Sequence, residues 1–281
     1  MSAQEPPRVR VLGIAQDGGH PQAGCMEPCC APAWLDPGRG HRVASLGLVQ
    51  GTQRWLVDCT PDLPDQLRLV GGPPLDGILL THAHMGHYTG LLHLGPEAWA
   101  PSGIAVYVMP GMRAFLEGNA PWSALISGGH VRLVDLAADR PLRLTDQLQV
   151  IPWEVPHRGP WTETVAFVIQ GPSRRVLFVP DIDRWEGWPR DIADVLSEVD
   201  VAYVDGSFFD MGELPRRDRS EILHPLVRET MDRLQSETLR SRVRFLHLNH
   251  TNPMLSPGSS AWREVHDRGF RIAVEGEEVE L

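Results

Sequence analysis

Three imidazoles fall within six residues at Thr81-His82-Ala83-His84-Met85-Gly86-His87, directly after the wholly apolar segment 77–80, GILL. No other feature narrows the fold as far. A short apolar run reads as a buried strand, and residues two apart on its extended exit can point the same way. His87 then opens a helical run, 88–94, and can turn back on the same space. Neutral imidazole ligates zinc, iron and copper, and loops leaving strand ends are where α/β proteins place their sites. With 12 His in 281 residues, three in six is hard to reach by chance. The cluster therefore asks for strands and helices with a metal site at a strand edge.

The rest of the chain supplies such elements. Strands are expected at 8–14, 43–49, 54–58, 77–80, 104–109, 131–136, 148–152, 165–170, 176–180, 201–204 and 244–248, all rich in Val, Leu or Ile. Helical spacing and stop signals place helices at 62–70, 110–117, 191–198, 221–235 and 260–267. No long linker or low-complexity segment divides them. The expectation is one domain over 1–281 with a flexible lead at 1–7, its two sheets lying between helices.

Three isolated residues share the position of His82. His157 follows the strand 148–152, Asp181 ends 176–180 in LFVPDID, and His250 follows 244–248 in FLHLNHTNPML. Singly, each reads as an ordinary hydrogen-bonded loop residue; as a set of strand-end residues they become candidate ligands. Asp58 and Asp205 also end strands and are expected to hydrogen-bond the backbone or ligand histidines. Of the four cysteines, Cys25, Cys29 and Cys30 crowd into six residues, which is not a disulfide spacing. They suit a structural zinc with His41 or another His as fourth ligand, or are simply free surface thiols. Cys59 reads as buried packing. Of the Trp residues near the site loops, Trp153, Trp185 and Trp188 read as packing, and Trp161 as a pocket wall.

The formal net charge is −10, from 36 acidic and 26 basic side chains. That average field repels phosphate backbones, so no nucleic-acid partner is expected. No apolar run is long enough to span a membrane, and the start lacks an apolar signal region. A cytoplasmic protein acting on a small-molecule substrate is the expectation.

HAHMGH resembles the HxHxDH signature of the metallo-β-lactamase superfamily, and the order of His cluster, lone His, Asp and last His matches that superfamily's ligand order. VLGIAQDGGHPQAGC at 11–25, HYTGLLHL at 87–94, VDGSFF at 204–209, ILHPL at 222–226 and NHTNPML at 249–255 are similar to the B-protein family of pyrroloquinoline quinone synthesis, PqqB. The resemblance implies an α/β (α+β) four-layer αββα sandwich. It implies a first metal on His82, His84 and His157 and a second on His87 and His250, with Asp181 bridging. Gly86 departs from the pattern, standing where the superfamily has a metal-binding Asp; Asp17 or His20 of the AQDGGH loop are the replacements considered. His224 is a candidate substrate contact or proton carrier, and Asp181 the residue that orients the nucleophile.

One or two zinc ions are the expected cofactor, with iron or manganese as alternatives, since a His-rich site also accommodates Fe(II). The leading expectation is hydrolysis of an ester, lactone, amide or phosphodiester by a metal-bound hydroxide. The alternatives are a PqqB-like oxygenase or other step in making that quinone cofactor, and a metal-binding protein whose catalysis has decayed at Gly86.

Overall fold

A computed structural model describes residues 5–159, 161–214 and 218–281. Fourteen strands are described: β1 Arg8–Gly13, β2 Ser45–Gln50, β3 Gln53–Val57, β4 Gly77–Leu79, β5 Ile104–Val108, β6 Val131–Asp135, β7 Leu142–Arg143, β8 Gln149–Glu154, β9 Val165–Gln170, β10 Arg175–Val179, β11 Val201–Asp205, β12 Val243–Leu246, β13 Arg271–Ile272 and β14 Glu278–Glu280. They form two seven-stranded sheets in the orders β14-β1-β2-β3-β4-β5-β6 and β13-β12-β11-β10-β9-β8-β7. Each sheet switches once from antiparallel to parallel pairing, at β3 in the first and at β10 in the second.

Strand alternation sorts side chains into layers. On β3, Trp55 and Val57 face the second sheet while Leu56 faces outward; on β4, Leu79 faces inward and Ile78 outward. The inward set joins Phe167, Phe178 and Tyr203 in one core between the sheets. The outward set packs under helices Leu63–Val70, Pro110–Gly118 and Trp122–Ser127. Helices Ile192–Ser197, Val227–Arg233 and Ser260–Asp267 cover the other sheet through Ile192, Val195, Val227, Met231 and Val265. The result is the expected αββα sandwich. Among the described residues, no helix is long and apolar enough to cross a membrane.

Three expectations are corrected, all of element boundaries. The helix expected over 221–235 begins only at Val227, because Pro225 disfavours a helical His224 and 219–221 form a separate 3-10 turn. The strand expected over 244–248 is Val243–Leu246; it ends at His247, whose φ of 62° leaves extended geometry. The helical run 88–94 is a one-turn helix Met85–Tyr88 followed by a 3-10 helix Thr89–Leu94. In the lead, residues 1–4 lie outside the described residues, but Pro7 is tied down, its carbonyl accepting from Leu281 N at 2.8 Å.

Candidate metal centre

The C-terminal ends of β3, β4, β8, β10, β11 and β12 open on one edge of the sandwich, and each exit loop brings a polar side chain there. His82, His84, His157 and Asp181 place one donor atom apiece within 4.8 Å of one another. His157 Nε2 is 3.1 Å from His84 Nδ1 and 3.6 Å from Asp181 Oδ1, and His82 Nε2 is 3.4 Å from Asp181 Oδ2. A tetrahedral zinc site with N and O ligands has edges of about 3.3 Å.

The second set is Asp17, His87, Asp181 and His247. Asp17 Oδ1 lies 3.1 Å from His87 Nε2 and 3.3 Å from His247 Nε2, while Asp181 Oδ2 is 3.3 Å and 3.4 Å from the same atoms. His250 is therefore not the histidine that meets His87 and Asp181; His247 is. The strand-end rule was sound, but β12 stops two residues before the expected boundary, so the histidine at its end is the earlier one. Sequence reasoning missed His247, although FLHLNH contains it.

Asp17 answers the departure at Gly86. A β-carbon at 86 would stand 2.5 Å from Asp17 Cα and 2.6 Å from its Oδ1, so the space of the signature's missing carboxylate is filled by a carboxylate from another loop. His20, the other replacement considered, points elsewhere: its Nε2 bonds Cys29 O at 2.9 Å.

Cys25, Cys29 and Cys30 converge instead on His250. Sulfur–sulfur separations are 3.7 Å for Cys25–Cys29 and 4.0 Å for Cys29–Cys30, and His250 Nδ1 lies 3.7 Å and 3.4 Å from Cys29 and Cys30. A tetrahedral zinc–thiolate site has edges of about 3.8 Å. His41 is not part of this set. Burial and the neighbouring sulfurs push the Cys29 thiol up to about 12 and burial raises that of Cys30, whereas a backbone hydrogen bond at Glu27 lowers Cys25, so Cys29 and Cys30 ionise readily only with a cation to compensate them. Cys59 is buried in the core as expected.

Partners behind the ligands orient them. His82 Nδ1 meets Thr81 Oγ1 at 2.9 Å, and that hydroxyl donates to Asp58 at 3.0 Å. His87 Nδ1 bonds Asp58 Oδ2 at 2.7 Å, His157 Nδ1 faces Asp183 Oδ1 at 2.9 Å, and His247 Nδ1 meets Ser207 Oγ at 3.0 Å. Each of these rings thus turns Nε2 to the centre; His84 turns Nδ1. Burial drives His82 down to about 3, which keeps its ring neutral and able to ligate. Burial also disfavours charge on His87, but Asp58, Asp17 and Asp181 outweigh it and raise its pKa well above the ordinary histidine value. The carboxylates that attract a proton there attract a metal cation equally. His82 Nε2, His87 Nε2 and Asp181 Oδ1 are buried without a hydrogen-bond partner. Orphaned donor atoms converging in one place fit a metal and are costly without one.

His224 adjoins the centre: its Nδ1 bonds Asp205 Oδ2 at 2.8 Å and lies 3.3 Å from Asp181 Oδ1. Burial opposes its charge, but Asp205 and Asp181 raise it to about 9. Asp205 thus supports His224 rather than a ligand of either set, whereas Asp58 does support His87. Trp153, Trp185 and Trp188 are buried, as expected, and Trp161 is 60% exposed. Its neighbour Thr162 accepts from Ala83 N at 3.1 Å, which sets this segment against the ligand loop. A cavity of about 680 Å³, lined by Trp34, His41, Trp262 and Glu275 among others, includes none of the centre's ligands.

A family model described as the Beta-lactamase superfamily domain matches residues 53–248. Coenzyme PQQ synthesis protein B of Rhizobium meliloti is 29% identical, covering 98% of this chain and 98% of that protein. Its counterpart in Xanthomonas campestris pv. campestris is 25% identical, covering 98% and 100%. Zn(2+)-bound PqqB from Methylobacterium extorquens superposes with a TM-score of 0.80 at 22% identity, covering 98% of this chain and 100% of that one. A diphosphatase from the PhnP family gives 0.71 at 20% identity, covering 99% and 98%. At such identities the two structures attest the fold. The family match runs from β3 past His247, over every ligand of the centre except Asp17, and with it the chain belongs, as an enzyme, to the metallo-β-lactamase superfamily.

Proposed function

We propose that the chain is a zinc-dependent hydrolase of a small organic substrate, an ester, lactone, amide or phosphodiester. The observation that carries this reading is the convergence of two four-ligand sets on one shared carboxylate, Asp181, with unpartnered donor atoms facing inward. Zinc, when bound, supplies Lewis acidity and makes water a nucleophile near neutral pH. His82, His84 and His157 would hold the first ion and Asp17, His87 and His247 the second. Asp181 turns Oδ2 toward His82, His87 and His247 and Oδ1 toward His157 and His224. One ionised side chain thereby fixes the separation of the two sets. His224 commits Nδ1 to Asp205, so the proton it can give a leaving group sits on Nε2. Half-buried His84 and Asp17, with exposed Met85, leave the centre open to solvent on one side. Trp161 is the wall proposed for an incoming substrate.

A second reading, a step in synthesis of a quinone cofactor, is supported by the end-to-end similarity to Coenzyme PQQ synthesis protein B. The third, a decayed centre, loses its motive once Asp17 stands in for the residue missing at 86.

The test is metal content by mass spectrometry on protein purified without added metal, with turnover of a chromogenic phosphodiester and a chromogenic ester. Wild type should hold zinc beyond one cysteine-bound equivalent, and His84→Ala should lose an equivalent together with activity. His224→Gln should keep its zinc while kcat falls about 10²–10⁴-fold. Iron lost in His84→Ala would move the reading to oxygen-dependent chemistry. No metal beyond the cysteine equivalent, even after reconstitution, would sink it.

A further inference from the structure

The cysteine set comes from the same two pieces of chain as two of the second set's four ligands, Asp17 and His247. The loop between β1 and β2 carries Asp17 and then Cys25, Cys29 and Cys30; the turn after β12 carries His247 and, three residues on, His250. His82, His84 and His157 come from neither piece. Asp17 and His247 both lie outside regular structure. Asp17 sits on a loop with its side chain 36% exposed, and its Oδ1 faces His87 and His247. His247 has a φ of 62°, a left-handed conformation that a residue with a β-carbon holds only when its surroundings enforce it.

Two ties enclose Asp17. On one side Gln16 N donates to Leu248 O at 2.9 Å and Leu248 N to Ile14 O at 2.8 Å. On the other stand the three sulfurs around His250, backed by the His20 Nε2 bond to Cys29 O at 2.9 Å. The first tie is ordinary backbone pairing. The second exists as a tie only when a cation holds thiolates and imidazole together.

We infer that Cys25, Cys29, Cys30 and His250, when they hold zinc, are a clamp that positions the second metal of the centre. By fixing the cysteine loop against the turn, the clamp sets the distance between Asp17 and His247. Its occupancy then tightens the second set and leaves the first, His82–His84–His157, unchanged. Because binding couplings are reciprocal, a metal in the second set tightens the clamp by the same factor. The inference rests on the metal-centre reading above.

Cobalt(II) titration of the full-length metal-free protein tests it, since thiolate-bound cobalt has charge-transfer absorption that imidazole and carboxylate sites lack. In Cys29→Ser that absorption should disappear and the affinity of the second set should fall about 10–100-fold, the range seen when a supporting partner of a ligand is lost. The first-set equivalent should stay at its wild-type affinity. Asp17→Asn should lose the second-set equivalent and keep the thiolate absorption, reached at about 10–100-fold higher cobalt. If Cys29→Ser does not fold, a mercurial that empties the clamp of zinc-loaded wild type replaces it, and second-set zinc should then leave more readily to a chelator. A second-set affinity within about twofold of wild type, with the clamp empty, overturns the inference and leaves the hydrolase reading standing; that is the outcome if the backbone tie alone suffices. Cobalt taken up by the cysteines alone, in wild type, overturns both.

Discussion

Gly86 illustrates how one missing side chain can mark a rearranged site. A methyl there would press on Asp17 Cα at 2.5 Å, and backbone cannot rotate away as a side-chain tip would. Gly86→Ala should therefore displace Asp17, lower the zinc held by the second set and destabilise the fold by about 1–3 kcal/mol, the usual range for overpacking. Gly118→Ala, at an exposed helix end where a β-carbon meets nothing within 4 Å, is the matched control and should leave the zinc unchanged and the fold no less stable. Zinc stoichiometry and thermal melts of both variants decide it. A Gly86→Ala protein with wild-type zinc would mean that Asp17 is not held against this glycine in solution. The same residue shows what the sequence could reveal. HAHMGH announced that a carboxylate was absent, and the AQDGGH loop offered two substitutes, but only the packing of Gly86 against Asp17 chooses between them.

At the level of elements, the strand ends were legible and the turns beyond them were not. His82, His84, His157 and Asp181 were found because each follows a strand whose apolar run is unmistakable. His247 was missed because Leu248 prolongs the apolar pattern past the true end of β12, and nothing in a His residue signals a φ of 62°. The partner of the cysteines lies 220 positions away from Cys30, a separation that no local pattern encodes. The turn 249–255 also carries a titration of its own. Glu213 accepts from Phe209 N at 2.8 Å and from the Thr251 hydroxyl; burial outweighs these bonds and raises its pKa to about 7. With the folded value above the unfolded one, its contribution to stability is full below about pH 4.3 and is lost as pH rises through about 7. Glu213→Gln should remove that slope. The stability difference, variant minus wild type, should rise by about 1–3 kcal/mol between pH 4 and 8 in denaturant titrations. A constant difference would mean that Glu213 ionises in the folded protein as it does in water.

On the scale of the molecule, the two sheets contribute in parallel. Asp58 at the end of β3 accepts from Thr81 N at 2.8 Å and holds His87; Asp205, the last residue of β11, accepts from Ile182 N at 3.2 Å and holds His224. Each half ties two of its own strand ends together through an aspartate, and the centre forms where the halves meet at Asp181. A metal there binds the assembled sandwich and has no comparable site on the unfolded chain, so it stabilises by mass action. The cysteine set adds a cross-link between positions more than 200 residues apart, and closing so long a loop removes much disorder from the unfolded ensemble. At free zinc about 100–1,000 times the dissociation constant, stabilisation is about 3–4 kcal/mol per site. Since about 1 kcal/mol moves the melting temperature of a domain approaching this size by roughly 2–4 °C, stripping all metal should lower it by about 10 °C or more. Adding zinc back should restore it in a concentration-dependent way. His84→Ala should lose only the first-set share of that shift and Cys29→Ser should lose the cysteine share. Should chelation leave the melting temperature of wild type unmoved while its zinc is gone, the orphaned donors at the sheet edge would have to be satisfied by protons and water, and the centre would not be built around a metal.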